Sequence, residues 1–375
     1  MSAELPGARR SQSADTVELQ INDVAFGGSG IARSNGKAMF VPFTIEGERV
    51  SARLTREKKQ FAEAELVEVL TPSPHRVQPP CPYFGRCGGC AYQHIGYEHQ
   101  LTIKARQVAD VLARIGKLRD VPIRPIVPSA LEYAYRNRIT VHAEQGVIGF
   151  YRRDSHQLLD ITHCPISRPE VNGALADLRQ RDVRDGHYTL RANTGPRVFG
   201  QTNDAVAGPL GEIVAALLPP GGPLLIDAYC GAGFFAKRLI GRFERIIGIE
   251  WDRFAVRAAE HEAAPNERYL NGSVEIELPS ILQQARETET SLIVDPPAVG
   301  LDATTRGAIR AHPPAKFIYV SCDPATLARD LRELASSLRV VSVTPLDMFP
   351  QTAEIEVVVE LDRIVSARAF DPEGL

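Results

Sequence analysis

The chain has 375 residues, 44% of them apolar and 24% charged, which is an ordinary globular composition long enough for two or three domains. No run of 18 apolar residues occurs, so a membrane-spanning helix is excluded, and the opening MSAELPGARRSQSAD lacks the apolar core of a secretory signal. A formal net charge of −3 does not announce a nucleic-acid partner, and six unevenly spaced cysteines make no disulfide framework, which points to a reducing, cytoplasmic setting.

Residues 1–15 read as a disordered tail. Residues 16–70 alternate apolar and polar positions and are broken by glycine turns at Gly27-Gly28-Ser29-Gly30 and Glu46-Gly47-Glu48. This pattern predicts a small five-stranded barrel of the oligonucleotide-binding kind. Residues 49–59 place Arg49, Arg53, Arg56, Lys58 and Lys59 beside a lone Glu57, either a solvated strand face or a surface for phosphates. The order of these pieces resembles the TRAM domain, an RNA-binding barrel attached to RNA-modifying enzymes, and the resemblance implies RNA as the partner.

Thr71-Pro72-Ser73-Pro74 reads as a stiff linker into a central region, residues 71–199, that holds four of the six cysteines. Leu101, Ala105, Val108, Val111, Leu112 and Ile115 recur at helical spacing and predict a helix over 97–115 with Gly116 as its C-cap. Cys81, Cys87 and Cys90 form C-x5-C-G-G-C, and Cys164 follows in His163-Cys164-Pro165. Thiolates so spaced can converge on one centre, an iron–sulfur cluster or a structural zinc. Arg136, Arg138, Arg152 and Arg153 give this region a local positive balance that the total charge hides.

Residues 200–375 alternate apolar runs with helical stretches. LLIDAYC, RIIGIE, SLIVDPP and KFIYVSCDP read as buried strands of a parallel α/β sheet. Cys230-Gly231-Ala232-Gly233 is the tight turn after the first, with a helix expected from Phe234-Phe235. Glu250 ends the next strand, 17 residues after Gly233. An acid there suits a ribose diol, and the missing second half of G-x-G-x-x-G favours S-adenosylmethionine over a dinucleotide. Asp295-Pro296-Pro297 ends the fourth strand, where Asp295 would face adenine or substrate. All donor contacts are expected after residue 200.

Cys322 follows the strand 316–320 at the carboxyl edge of the sheet, and Cys230 lies on the same edge. Carbon 5 of uracil is a poor nucleophile. A thiolate adding to carbon 6 makes it attack an electrophilic methyl group, and a base must then remove the carbon-5 proton. Glu354 and Glu356, two apart at the start of a strand, are expected on one face beside that edge.

With these residues placed, the chain resembles the RNA uridine-5-methyltransferases, a family acting on transfer RNA and large-subunit ribosomal RNA. The likeness spans about residues 16–370 and rests on the barrel, C-x5-C-G-G-C, DAYCGAGFF, VDPP, SCDPATLARD and FPQTAEIEVV. It implies an α/β fold: a Rossmann-like methyltransferase domain over 200–375, an OB-like TRAM barrel and a central iron–sulfur domain. It further implies Cys322 as nucleophile, Glu356 as base, and Gln201, Tyr229, Glu250 and Asp295 as contacts to S-adenosylmethionine, with Ser273 as another. Cys81, Cys87, Cys90 and Cys164 would hold a [4Fe-4S] cluster. RNA is the implied partner, 23S ribosomal RNA ahead of transfer RNA, with neither a membrane nor an obligate protein partner. Phe234 and Glu354 depart from the family, which commonly has a polar cofactor contact at the first and histidine at the second. The rival readings are a methyltransferase acting on cytosine carbon 5 or a base amino group, and a non-enzymatic iron–sulfur RNA-binding protein.

Overall fold

The computed structural model describes residues 16–192, 200–261, 263–286 and 289–364; the expected tail, 1–15, and the end of the central region lie outside them. The strands β1 (Thr16–Val24), β2 (Ser29–Ser34), β3 (Lys37–Pro42), β4 (Arg49–Glu57) and β5 (Phe61–Thr71) close into a barrel in the order β1-β2-β3-β5-β4. Leu19, Ile21, Val41 and Val50 fill it, as the period-two pattern requires. Gly27 and Gly28 turn with φ of 97° and 90°. A Cβ at Gly28 would lie 2.9 Å from that of Ala91, so this turn presses against the region that follows. On the basic strand, Arg53 and Arg56 face Glu65 and Glu63 at 3.7 and 3.6 Å, which neutralises part of the charge. The expected linker is pinned instead of free: buried Glu48 accepts from the Ser73 amide at 3.2 Å and from Arg76 Nη2 at 2.7 Å.

After the barrel, α1 (Tyr97–Val111) runs into a wider π-type turn, Leu112–Gly116. Lys117, not Gly116, takes the left-handed position at its end, with φ 60°. Gly116 serves close approach, since a Cβ there would lie 3.3 Å from the Ala328 carbonyl oxygen. The apolar side expected from the sequence is buried at Leu101, Val108 and Leu112, and the helix buries a polar side as well. Gln100, Lys104 and Gln107 are buried while Ile115 is exposed.

A small antiparallel sheet follows, which the sequence reading did not resolve: β6 (Arg138–Glu144), β7 (Val147–Tyr151), β8 (Leu158–Asp160) and β9 (Gly186–Arg191), in the order β8-β7-β6-β9. The helix α2 (Pro169–Arg179) covers one face through Val171, Leu175 and Leu178.

The large sheet comprises β10 (Gly222–Ala228), β11 (Phe243–Glu250), β12 (Glu267–Asn271), β13 (Thr290–Val294), β14 (Lys316–Ser321), β15 (Leu338–Leu346) and β16 (Glu356–Arg363). Their order is β12-β11-β10-β13-β14-β16-β15, with β16 antiparallel to both neighbours. The parallel strands read as unbroken apolar runs because both faces are covered: Leu224 and Ile226 enter one core and Leu225 the other. Flanking helices are α3 (Asp204–Leu217), α4 (Arg253–His261), α5 (Val274–Gln284), α6 (Ala303–Ala311) and α7 (Pro324–Leu334). The helix expected from Phe234 is only a short 3₁₀ turn, Ala236–Leu239. Left-handed φ angles at Tyr229, Gly231 and Gly233 keep the chain in a turn until Asp227 accepts from the Ala236 amide at 2.9 Å. Among the described residues no helix is long and apolar enough to cross a membrane.

Between α1 and the large sheet, Lys104 Nζ donates to Asp347 Oδ1 at 2.6 Å, and neither side chain has any exposed surface. Lys104→Ala strands the carboxylate in the interior, and we expect a loss of about 3–5 kcal/mol, read from the midpoint of chemical denaturation. The double variant Lys104→Met/Asp347→Leu should recover most of it, since no unpaired charge remains. A midpoint unchanged in Lys104→Ala would mean that the pair stabilises nothing.

Candidate active site

At the carboxyl ends of the parallel strands lies a cavity of about 700 Å³, where open α/β sheets bind ligands. Tyr229 follows β10, Glu250 ends β11, Asp295 follows β13 and Cys322 follows β14. Because β16 runs antiparallel to β14, its first residue, Glu356, arrives at this same edge. Gln201 comes in from the segment before α3. These six line the one cavity. Ser273 does not: it sits at the N-cap of α5, and its side chain makes no capping bond.

The two thiols on this edge part company. Cys230 is buried among Leu225, Phe235 and Ile246, away from the cavity, whereas Cys322 lines it. The two acids also differ. Glu356 is a buried strand residue with one oxygen, Oε1, lacking any partner, and Glu354 is exposed in the preceding loop, yet both line the cavity. Phe234 lies outside it, stacked on Arg238 with 4.0 Å between guanidinium and ring centre. Three contributions were not read from the sequence. Phe26 and Gly27 reach the cavity from the barrel turn. Trp251, the chain's one tryptophan, stands 75% exposed beside Glu250 on the cavity rim; a large exposed aromatic after a strand-end acid was the available signal.

Local bonds fix these groups. Glu250 accepts from the Gly231 amide at 3.0 Å and from the Asp252 amide at 2.8 Å, so it ties the glycine turn to the end of β11. Asp323 caps α7, accepting from the Ala325 and Thr326 amides, each at 2.8 Å, and so holds the loop that carries Cys322. Before Glu354 and Glu356, successive carbonyls are held by separate parts of the chain. Asn203 donates to that of Met348, Lys104 to Phe349, the Tyr135 hydroxyl to Pro350 and the Tyr92 amide to Gln351.

The cavity is acidic. Burial, then Asp295 and Glu354, push the Glu356 carboxyl well above its ordinary range. Burial pushes Asp295 up to about 7, and burial with Asp295 and Glu250 does the same for Asp227. The Cys322 thiol is pushed up to about 12 by burial and then by Glu356, Asp295 and Glu354. Such a cavity suits a cation, whose charge would work against the raised values of the groups that line it.

Cys81, Cys87, Cys90 and Cys164 line a second cavity, of about 520 Å³. All four are free thiols. Burial raises Cys81, Cys87 and Cys90, the last to about 12, and neighbouring cysteines add to each shift. Among the described residues no three metal-ligating side chains gather closely enough for a single ion.

The sheet order, the strand-end acids and the cation-seeking cavity define an S-adenosylmethionine-dependent methyltransferase that carries an extra barrel. The model for the family described as tRNA (uracil-5-)-methyltransferase matches residues 177–364, and that for the TRAM domain matches residues 10–67. An uncharacterized RNA methyltransferase of Bdellovibrio bacteriovorus is 31% identical over 95% of this chain and 97% of its own. One from Thermosynechococcus vestitus is 30% identical over 92% and 98%. The chain therefore belongs to the RNA (uracil-5-)-methyltransferase family, whose methyl donor is S-adenosylmethionine. The fold is shared with the Pyrococcus abyssi tRNA (uracil-54, C5)-methyltransferase, solved with S-adenosyl-L-homocysteine, at a TM-score of 0.69 and 22% identity, covering 92% of this chain and 99% of that one.

The raised carboxyls make stability depend on pH. A carboxyl whose folded pKa is raised contributes fully below about pH 4 and loses its contribution as pH climbs through the folded value. With Asp227 and Asp295 near 7 and Glu356 also raised, the melting temperature of the donor-free protein should fall between pH 5 and 8. Glu356→Gln should flatten that fall, and at pH 8 the sulfonium donor should restore more than its uncharged thioether product. Equal slopes for wild type and variant would show that Glu356 ionises freely.

Proposed function

We propose that the chain methylates carbon 5 of a uridine in RNA through a covalent cysteine adduct, with 23S ribosomal RNA as the substrate. The observation that supports this is one cavity holding a thiol, Cys322, and a buried carboxyl with an unpartnered oxygen, Glu356, beside Gln201, Tyr229, Glu250 and Asp295. Bound S-adenosylmethionine supplies an electrophilic methyl group on a positively charged sulfur. Glu250 takes the ribose diol, and Asp295 with Gln201 bounds the reacting end. Burial first, and then the acids that attract the cation, hold the thiol protonated, so donor binding and thiolate formation are linked. Cys322 Sγ then bonds to uracil carbon 6, carbon 5 takes the methyl group, Glu356 accepts the carbon-5 proton, and the carbon–sulfur bond breaks to release the thiolate.

The barrel (16–70), the central region (71–199) and the methyltransferase region (200–375) act as three units of a cytoplasmic enzyme. Cys81, Cys87, Cys90 and Cys164 would hold a [4Fe-4S] cluster, which ties distant segments together and takes no part in the chemistry. Transfer RNA is the second reading, favoured by the family's description and by the Pyrococcus abyssi enzyme. Analysis of 5-methyluridine in ribosomal and transfer RNA from cells with and without the gene separates the two.

RNA carrying 5-fluorouridine should trap wild-type protein as an adduct that survives denaturing gels, because fluorine does not leave as a proton does. Cys322→Ala should abolish the adduct and Cys230→Ala should keep it; trapping by Cys322→Ala would move the nucleophile elsewhere. Glu356→Gln should stall after methyl transfer and slow turnover about a hundredfold or more, while Glu354→Gln stays within about tenfold. The reverse order would assign the base to Glu354. Anaerobically purified protein should contain about four irons per chain, and stoichiometric zinc without iron would reject the cluster.

A further inference from the structure

Among the described residues, α2 covers one face of the small sheet and no helix covers the other. In β6, Ile139, Val141 and Ala143 enter the core shared with α2, and Arg138, Thr140 and His142 alternate with them on the outside. In β9, Leu190 points inward while His187, Thr189 and Arg191 alternate outward. The antiparallel register sets like against like: Arg138 opposite Arg191, Thr140 opposite Thr189, His142 opposite His187. The threonine hydroxyls stand 3.2 Å apart and the two histidine Nδ1 atoms 2.7 Å apart. From β7, Tyr151 lies over the His142 ring with centroids 4.2 Å apart, and His156 meets Tyr151 edge-on at 5.8 Å.

Like charges directly opposite one another destabilise an antiparallel pair. The Arg138 guanidinium is held below its ordinary range by burial, then by Arg191 and Arg136. A phosphate at this end of the stripe meets three guanidinium groups, those of Arg136, Arg138 and Arg191. The stripe is also aimed. Its arginine end lines the cysteine cavity, and Thr202 lines both that cavity and the catalytic one. Its far end, four residues along β6 and about 13 Å away, offers the Tyr151 ring, backed by that of His142, and unpaired bases stack on such aromatic rings. An anionic cluster in the cysteine cavity would attract the arginines too, but His142, His187 and Tyr151 are not among the residues lining it.

We propose that the outward face of β6 and β9 carries the single-stranded RNA that flanks the target uridine, with phosphates at Arg136, Arg138 and Arg191 and a base against Tyr151. The proposal rests on the RNA-methylating function above. It is tested with whole, anaerobically purified protein and a fluorescein-labelled oligouridylate, titrated over a range of salt. Arg138→Ala/Arg191→Ala should weaken binding and make the slope of log K against log salt less negative by about 1.4, two phosphates at about 0.7 each. Tyr151→Ala, outside the cysteine cavity, should weaken binding about tenfold with the slope unchanged. Both variants should bind S-adenosylmethionine as the wild type does. Wild-type affinity and slope in both variants would overturn the proposal, as would loss of iron in the arginine variant with an unchanged slope, which would assign those arginines to the cluster. If wild-type protein is trapped by 5-fluorouridine RNA while the variants bind oligouridylate normally, the stripe alone fails. If wild-type protein neither binds oligouridylate nor is trapped, the RNA-methylation reading fails and the stripe with it.

Discussion

A lysine ammonium with no exposed surface, 2.6 Å from an aspartate equally enclosed, is the fastening on which the catalytic edge depends. Burial pulls the Lys104 pKa down and Asp347 holds it up. The ion's remaining capacity goes to the Phe349 carbonyl at 3.0 Å. One turn earlier on α1, Gln100 donates to Gln351 Oε1 at 3.0 Å and accepts from the Gln351 amide at 3.1 Å. Gln351 is held at φ 70°, a left-handed conformation that a non-glycine residue keeps only when its surroundings over-determine it. The segment leading to Glu354 and Glu356 is thus fixed by polar groups with few ways to rearrange. The general base proposed at Glu356 would need such fixing, because a displacement of about 1 Å at the reacting atoms costs far more rate than the same shift elsewhere.

The same physics explains why the cavity tolerates so much like charge. Glu250 is steadied by two backbone amides and Asp295 by the Gln201 amide at 3.5 Å, while Glu356 is left with an oxygen that nothing satisfies. An unsatisfied buried oxygen is costly in the resting protein. Retaining it makes sense where a ligand or a reacting proton completes it, and strained, underpaired groups concentrate at such places. Cys230, equally close in sequence to a glycine turn, has no such setting and behaves as core.

How far the sequence could be read follows from which forces are local. Strands β10, β11, β13 and β14 announce themselves because burial on both faces writes an unbroken apolar run, and strand ends then carry Glu250, Asp295 and Cys322 to one edge. The barrel is legible through alternation and glycine turns. The extent of α1 and its apolar side, with Leu101, Val108 and Leu112 buried, were legible, but not the second buried side of Gln100, Lys104 and Gln107, which pattern reasoning assigns to solvent. β15 was missed because Pro345 interrupts it, and proline is tolerated there because the strand lies at the edge of the sheet. The small sheet was missed because its strands are short and its outward residues are arginine, threonine and histidine. Contacts between distant segments, such as Phe26 with the catalytic cavity, leave no trace in any local window.

The barrel turn that supplies Phe26 and Gly27 gives this architecture a property that a tethered module would lack. Its backbone approaches so closely at Gly28 that a single methyl group would collide with Ala91 and Tyr92. The wall of the reaction chamber is therefore built from both ends of the polypeptide, and the chamber is complete only once the barrel has docked. Exchanging barrels between relatives would alter the shape of the chamber, so the barrel and the large sheet are constrained to change together.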